Sequence, residues 1–274
     1  MTSSKYSHVP LALGATIVLG MSGIALLAPA LTSHGFEQMD MANRLAGPSL
    51  SHVLGTDNFG RDLWTRMAFG ARVSLTIGLV SVSVAVMVGT LVGLVAGYYR
   101  GWLDLVLMRF VDLFLGFPPI ILAIALVAVL GPGTVNVTIA LAAVFWTQYA
   151  RVVRAVTLVE SEREYVVAAK AAGFPPVRIL LRHVLPGSIG PVIVLATLGI
   201  GTAIVAESGL SFLGFGVQPP TPTWGWTLAY GMRFLRSHAW LSTVPGLFIM
   251  ITVLGFNLFG DGLRDMLDPR GVSK

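Results

Sequence analysis

Few side chains in this sequence stand where they could do chemistry, and the sharpest is a carboxylate at the end of an apolar run. Glu207 directly follows the charge-free stretch Val184–Ala206. A charge at such a position is expensive; it faces a cavity or a partner, snorkels to water, or pairs at a subunit interface. Asp104, Arg109 and Asp112 flank a second apolar run, and Arg109 and Asp112, three residues apart, can pair on one helix face. Arg151 and Arg154 close the same run from its other end, as charge anchors or as contacts to a partner. The five histidines, His8, His34, His52, His183 and His238, are scattered with no i, i+4 pair, so metal ligation is not expected and only a spatial cluster stays open. No cysteine is present, which excludes disulfides and thiolate metal sites. No nucleophile–base pair stands out, and no G-x-x-x-x-G-K-[ST] run occurs, so the chain lacks the usual phosphate cradle for hydrolysing ATP. Ser81, Ser83, Thr90, Thr197 and Thr202 can line an aqueous channel or hydrogen-bond between helices.

These groups need elements to hold them, and composition says what those elements are. Of 274 residues, 55% are hydrophobic and only 11% charged, against about 25% charged in ordinary soluble domains. Val9–Phe36, Val73–Tyr99, Leu113–Ala150, Val184–Ala206 and Ser237–Gly260 contain no Asp, Glu, Lys or Arg. About 20 apolar residues cross a bilayer core roughly 30 Å thick. Leu113–Ala150 is too long for one crossing and is divided by Gly131-Pro132-Gly133, which a helix does not traverse comfortably. Six spans result: Val9–Leu31, Val73–Tyr98, Leu103–Leu130, Val135–Val156, Ser188–Phe212 and Ser242–Leu258. Pro118-Pro119 should kink or break the third. With the N-terminus inside, twelve of the 18 Lys and Arg, Lys5, Arg270 and Lys274 among them, fall on inside segments. The net charge of +5 is therefore a topology signal and not a nucleic-acid footprint. The N-terminal run imitates a signal peptide ending at Ala28-Pro29-Ala30, but it is longer than a signal core and reads as the first helix. Gly89, Gly93 and Gly97 recur every four residues on one helix face and suit close helix packing better than a hinge.

The longest charged inside segment runs from Thr157 to Gly187. Glu164 to Gly173 reads as a short helix of alanine and lysine closed by glycine, and Pro175-Pro176 stops it. A second helical stretch, Val177–Val184, ends at Leu185-Pro186-Gly187 before the fifth span. Two short helices between two spans make a rigid protrusion, slim at Ala168, Ala169, Ala171 and Ala172. Its apolar residues are mostly small, so an interfacial helix lying on lipid is the weaker reading.

Ala168-Ala169, three residues, Gly173 and then Leu185-Pro186 resemble the "EAA" loop of permeases in bacterial ATP-binding-cassette importers. Val167 stands where that family carries a glutamate, while Arg163-Glu164-Tyr165-Val166 is similar to its "REYV" variant. Other blocks narrow the resemblance to the dipeptide, oligopeptide and nickel group. These are Leu54-Gly55-Thr56-Asp57 with Gly60-Arg61-Asp62, Ala71–Leu75, Gly209–Gly214, Pro222 with Trp224-Gly225, and Asn257 to Asp268-Pro269. Together they cover about four-fifths of the chain, and their order is similar to that of the C-type subunit.

The resemblance implies an all-α polytopic membrane protein of the MetI-like importer permease fold, with an anchor helix and external segment over 1–53. A transmembrane domain follows over 54–270, with a cytoplasmic coupling loop at about 158–187. It further implies a permease that moves small peptides handed over by an extracytoplasmic binding protein; nickel or glutathione are alternative cargoes. Glu164, Tyr165, Ala168, Ala169, Gly173, Leu185 and Pro186 would couple to the ATPase, and Glu207 and Ser211 would stand on the path or at the subunit interface. The implied partners are a second homologous permease in a heterodimer, two ATPase subunits that bind ATP and magnesium, the binding protein and the bilayer. No nucleic acid, no cofactor and no metal is expected in this subunit, which is not an enzyme. Both termini would face the cytoplasm of a bacterial inner membrane. An ion-coupled secondary transporter is the rival reading, but such proteins often show inverted repeats and midplane charges, and neither is clear here.

Overall fold

The computed structural model describes residues 8–267, and among them the only extended pairing is an isolated bridge between Thr56 and Asp62. All else is helix and connection. Helix α1 runs His8–Leu31, α2 Leu63–Tyr99, α3 Gly101–Leu115, α4 Pro119–Leu130 and α5 Thr134–Glu160. Two short helices follow, α6 at Glu164–Ala171 and α7 at Pro176–Ile179, then α8 at Leu185–Phe212, α9 at Trp224–Gly231 and α10 at Trp240–Leu267. Lys5, Arg270 and Lys274, the Asp268-Pro269 end of the tail motif and the His8 side chain lie outside the described residues.

Four helical segments are long and apolar enough to cross a membrane unaided: Val9–Leu31, Leu63–Tyr99, Pro176–Phe212 and Trp240–Leu267. The pair α3 and α4 makes a fifth, bent by 88°. Leu115 ends one helix and Pro119 opens the next, so the expected disturbance at Pro118-Pro119 is a full break. Helix α5 is 27 residues long and more polar toward its Arg151–Glu160 end. The protein is a polytopic all-α bundle, its four to five candidate spans among the described residues standing close to the six expected.

Besides α10, which runs nine residues past the expected end at Leu258 to Leu267, two boundaries differ from the charge-based expectation. Helix α2 begins ten residues early, because Asp62 caps it: its carboxylate accepts the Thr65 amide at 2.7 Å. At 1.5 Å per residue its 37 residues are roughly 55 Å long, so it projects well beyond a bilayer core. Arg66 and Arg72 therefore lie on the helix, and Arg66 is buried inside the protein. The other difference is at Leu185-Pro186-Gly187, which ends nothing. A wide π-type turn over Leu180–Val184 carries α7 straight into α8, with Pro186 in its first turn. Proline is tolerated there because the first amides of a helix have no partner within it.

Helices α2 and α5 form the most extensive pairing. A Cβ on Gly89, Gly93 or Gly97 would strike Trp146 and Tyr149, Ala150 and Val153, or Thr157 respectively. The small-residue face is a packing seam, worth dispersion contacts that lipid cannot replace. Helix α8 inserts against α2, α5 and α10, while α1 lies along α10.

Candidate functional site

At one end of the bundle, α6 and α7 form an elbow. Val166 and Ala169 turn inward and pack with Leu94 of α2, Val153 of α5, and Ile179, Leu180, Val184 and Val192 beyond. Glu164, Tyr165, Val167, Ala168 and Lys170 are left on the outer face. The helix stops as a glycine-closed helix should. The Gly173 amide donates to the Lys170 carbonyl and the Phe174 amide to that of Ala169, with Gly173 at φ +76°. This is the reciprocal pair of a left-handed C-terminal cap, which a side chain at Gly173 would strain.

Polar contacts then fix the elbow to the bundle. The Tyr165 hydroxyl donates to Glu160 Oε2 at 2.6 Å, beside the His183 carbonyl at 3.3 Å. That carboxylate, with a smaller contribution from burial, holds the phenol above its usual pKa. His183 stacks against both Tyr165 and Phe174, Arg178 lies over the Phe174 ring, and Lys170 lies over Tyr98. Of the coupling residues expected from sequence, Leu185 is half-buried and Pro186 exposed, and the two open α8. Glu160 and His183 were not singled out as partners. Only the fold shows that they flank the tyrosine.

The α3 carboxylates are also placed by the fold. Asp112 pairs with Arg151 at 2.6 Å and Asp104 with Arg154 at 2.5 Å, so the Arg109–Asp112 pair expected along one helix face does not form. Asp112 instead ties α3 to α5.

Glu207 is fully buried inside the protomer, neither snorkelling nor at a surface. Ser211 donates to its Oε1 at 2.7 Å, and Ser74 of α2 to its Oε2 at 3.0 Å. Ser208 lies at 3.5 Å. No Lys or Arg pairs with it among the described residues. Three hydroxyls thus hold a carboxylate across the α2–α8 seam. Ser74 belongs to the Ala71–Leu75 block and was the residue missed, although the block itself was visible. The hydroxyls of Ser81, Ser83, Thr197 and Thr202 return to carbonyls of their own helices four residues back. None of these bonds bridges two helices. Thr202 borders a groove of about 490 Å³ between α4, α5 and α8, lined also by Phe145, Gln148 and Val205.

At the opposite end, residues 40–62 fold into a polar lobe. Asp57 Oδ1 accepts the amides of Phe59 and Arg61, and its Oδ2 pairs with the Arg61 guanidinium at 2.6 Å and more distantly with buried Arg66. Gly60, at φ +70°, leaves room for the Asp40 backbone that any Cβ would strike. Trp224, fully buried, donates its indole N–H to the Met67 carbonyl at 3.0 Å, which docks α9 onto the projecting part of α2. Gly225 is pressed against the Ser208 backbone. Sequence blocks more than 130 residues apart thus meet around Glu207 and Met67.

The bundle, its projecting α2 and its elbow together define a polytopic membrane permease subunit. A family model described as "Binding-protein-dependent transport system inner membrane component" matches residues 89–271. The dipeptide transport system permease protein DppC of Alkalihalophilus pseudofirmus is 47% identical over 257 residues, spanning 94% of this chain and 84% of that protein. The glutathione transport system permease protein GsiD of Pectobacterium atrosepticum is 43% identical over 264 residues, spanning 96% and 87%. GsiD of Escherichia coli is 44% identical over 257 residues, spanning 93% and 85%. The chain belongs to the family of binding-protein-dependent transport inner membrane components, the permeases of ATP-binding-cassette importers.

Proposed function

We propose that this subunit translocates short peptides, and that α6 takes up the stroke of a separate ATPase. The observation that carries the reading is the construction of the elbow. Its inward face is locked by apolar contacts to the ends of α2, α5 and α8, while Glu164, Tyr165, Val167, Ala168 and Lys170 stay available to a partner. A push on that face moves three membrane helices together, as alternating access driven from outside the subunit requires. The elbow end, with both termini, is then cytoplasmic, and the 40–62 lobe and α9 meet the binding protein outside. Residues 1–53 serve as anchor and external segment, and 54–270 as the transport domain. Leu185 and Pro186 belong to the coupling region as the start of α8. The groove between α4, α5 and α8 belongs to the path shared with a second, homologous permease, and Glu207 with Ser211 braces the helix that lines it. ATP and magnesium act on the partner ATPases, and no cofactor is assigned to this chain. The peptide class rests on the relatives named for dipeptide and glutathione transport.

The test is a reconstituted complex of both permeases, ATPases and binding protein in proteoliposomes. Gly173→Asp is expected to insert normally but to lose substrate-stimulated ATP hydrolysis, because an L-residue strains at φ +76° and the helix end shifts. Unchanged stimulation in that variant would remove α6 from the coupling path. Transport that persists without ATP on an ion gradient alone would overturn the importer reading.

A further inference from the structure

We propose that His34, His52 and Asp62 form a binding site for a late first-row divalent cation, Zn²⁺ being the ion the donor set fits best. Their ligand atoms, one from each residue, lie within 4.8 Å of one another. The three come from separate segments: His34 from the connection after α1, His52 from the 40–62 lobe, and Asp62 from the N-terminal cap of α2. Sequence spacing gives no hint of this, because 18 and 10 positions separate them.

The surroundings prepare the site. The connection after α1 is held to α2 by the Trp64 indole N–H donating to the Leu31 carbonyl at 3.0 Å, and Phe36 packs on Phe69. His34 and His52 therefore lie face to face, ring centroids 4.8 Å apart and tilted by 31°. Asp62 divides its oxygens. Oδ2 accepts the amide and hydroxyl of Thr65, which fixes the carboxylate, while Oδ1 faces His52 Nδ1 at 3.0 Å. Asp62 is 5% exposed and His52 7%, and no Lys or Arg pairs with Asp62 among the described residues. The start of α2 and Thr65 hold Oδ2, and the one further partner is His52, so Oδ1 is the oxygen open to a cation that takes the place of the imidazole proton.

A divalent ion supplies that charge, and two imidazoles with one carboxylate suit zinc and its neighbours rather than the all-oxygen shells of calcium or magnesium. In a tetrahedral site the ligand atoms would stand roughly 3.3 Å apart, from metal–ligand bonds of about 2.0–2.1 Å. The site must therefore contract. His34, half-buried on a connection and with its Nδ1 3.1 Å from the Ser33 hydroxyl, is the ligand that would swing in. An ion so held would clamp the outer end of α1 to the lobe and to the start of α2.

The experiment uses the full-length chain with a histidine-free tag, purified in detergent, stripped with chelator and titrated with Zn²⁺ against a chromophoric chelator. A parallel Co²⁺ titration reads ligand-field bands. The expected result is one Zn²⁺ per chain, nitrogen-ligated Co²⁺ bands, and a melting temperature that rises with Zn²⁺. His34→Ala should weaken binding at least tenfold and abolish the thermal shift, while His238→Ala binds as the parent does. If His34→Ala does not purify, His34→Gln carries the same comparison. No binding at equimolar Zn²⁺, or equal affinity in the parent and the His34 variant, overturns the proposal; the second outcome means adventitious binding elsewhere.

Discussion

At the residue scale the defining feature is a carboxylate that three hydroxyls hold inside the bundle. Glu207 has Ser74, Ser208 and Ser211 as donors and no solvent contact. Removing the acid orphans the hydroxyls and leaves a cavity, so Glu207→Ala should destabilise the chain by about 2–4 kcal/mol. Ser74→Ala, which removes one donor, should cost about 1–3 kcal/mol. Thermal unfolding in detergent measures both, and an unshifted Glu207→Ala would mean that water replaces the network. Tyr165 gives a pH test. Its hydrogen bond to the Glu160 carboxylate favours the protonated phenol, so its folded pKa is higher than its unfolded one. That contribution is complete at neutral pH and is lost only as pH climbs through the raised pKa in the alkaline range. A tyrosinate absorbance titration, with Tyr165→Phe as the difference control, should place this residue above the usual value of about 10.

At the element scale, the α2–α5 seam and the elbow respond oppositely to substitution. Gly93 faces the Ala150 carbonyl and Val153 with no space for a methyl group, so Gly93→Ala forces the helices apart at a cost of about 1–3 kcal/mol. Gly20 has nothing within 4 Å, and Gly20→Ala should leave the melting temperature unchanged or raised by better helix propensity. Membrane abundance and thermal melting separate the two. On the elbow, Val167 is 52% exposed, so Val167→Glu incurs no burial penalty within the subunit, and because the importer-permease loop it resembles carries glutamate at this place, the yield of the ATPase complex should be unchanged. Much of this level was legible beforehand. Gly173 closes α6 because only glycine enters the left-handed region cheaply, and Pro118-Pro119 breaks its helix because two amides are missing. The start of α2 was not legible. The charges before Val73 read as an external polar stretch, yet Arg66 lies on α2 in the protein interior near Asp57.

Across the whole molecule, long-range docking turns separate motifs into one rigid end. Trp224 buries its ring against α2 from a position 157 residues away from its acceptor, Met67. Trp224→Ala should cost about 3–5 kcal/mol and free α9 from α2, seen as faster amide exchange over α9 and over the first turns of α2; unchanged exchange would show that the lobe holds α9 without it. By itself the sequence determined the class. Charge-free runs, paired prolines, the Gly-Pro-Gly turn and the alanine-rich helix with its glycine stop are local facts, and bilayer thickness and backbone stereochemistry act on them locally. Only the tertiary structure decided which distant groups meet: Ser74 with Glu207, Tyr165 with Glu160 and His183, Asp104 and Asp112 with the α5 arginines, and His34 with His52 and Asp62. Those pairings depend on helix register and on how far α2 projects, and both follow from packing between segments rather than from spacing along the chain.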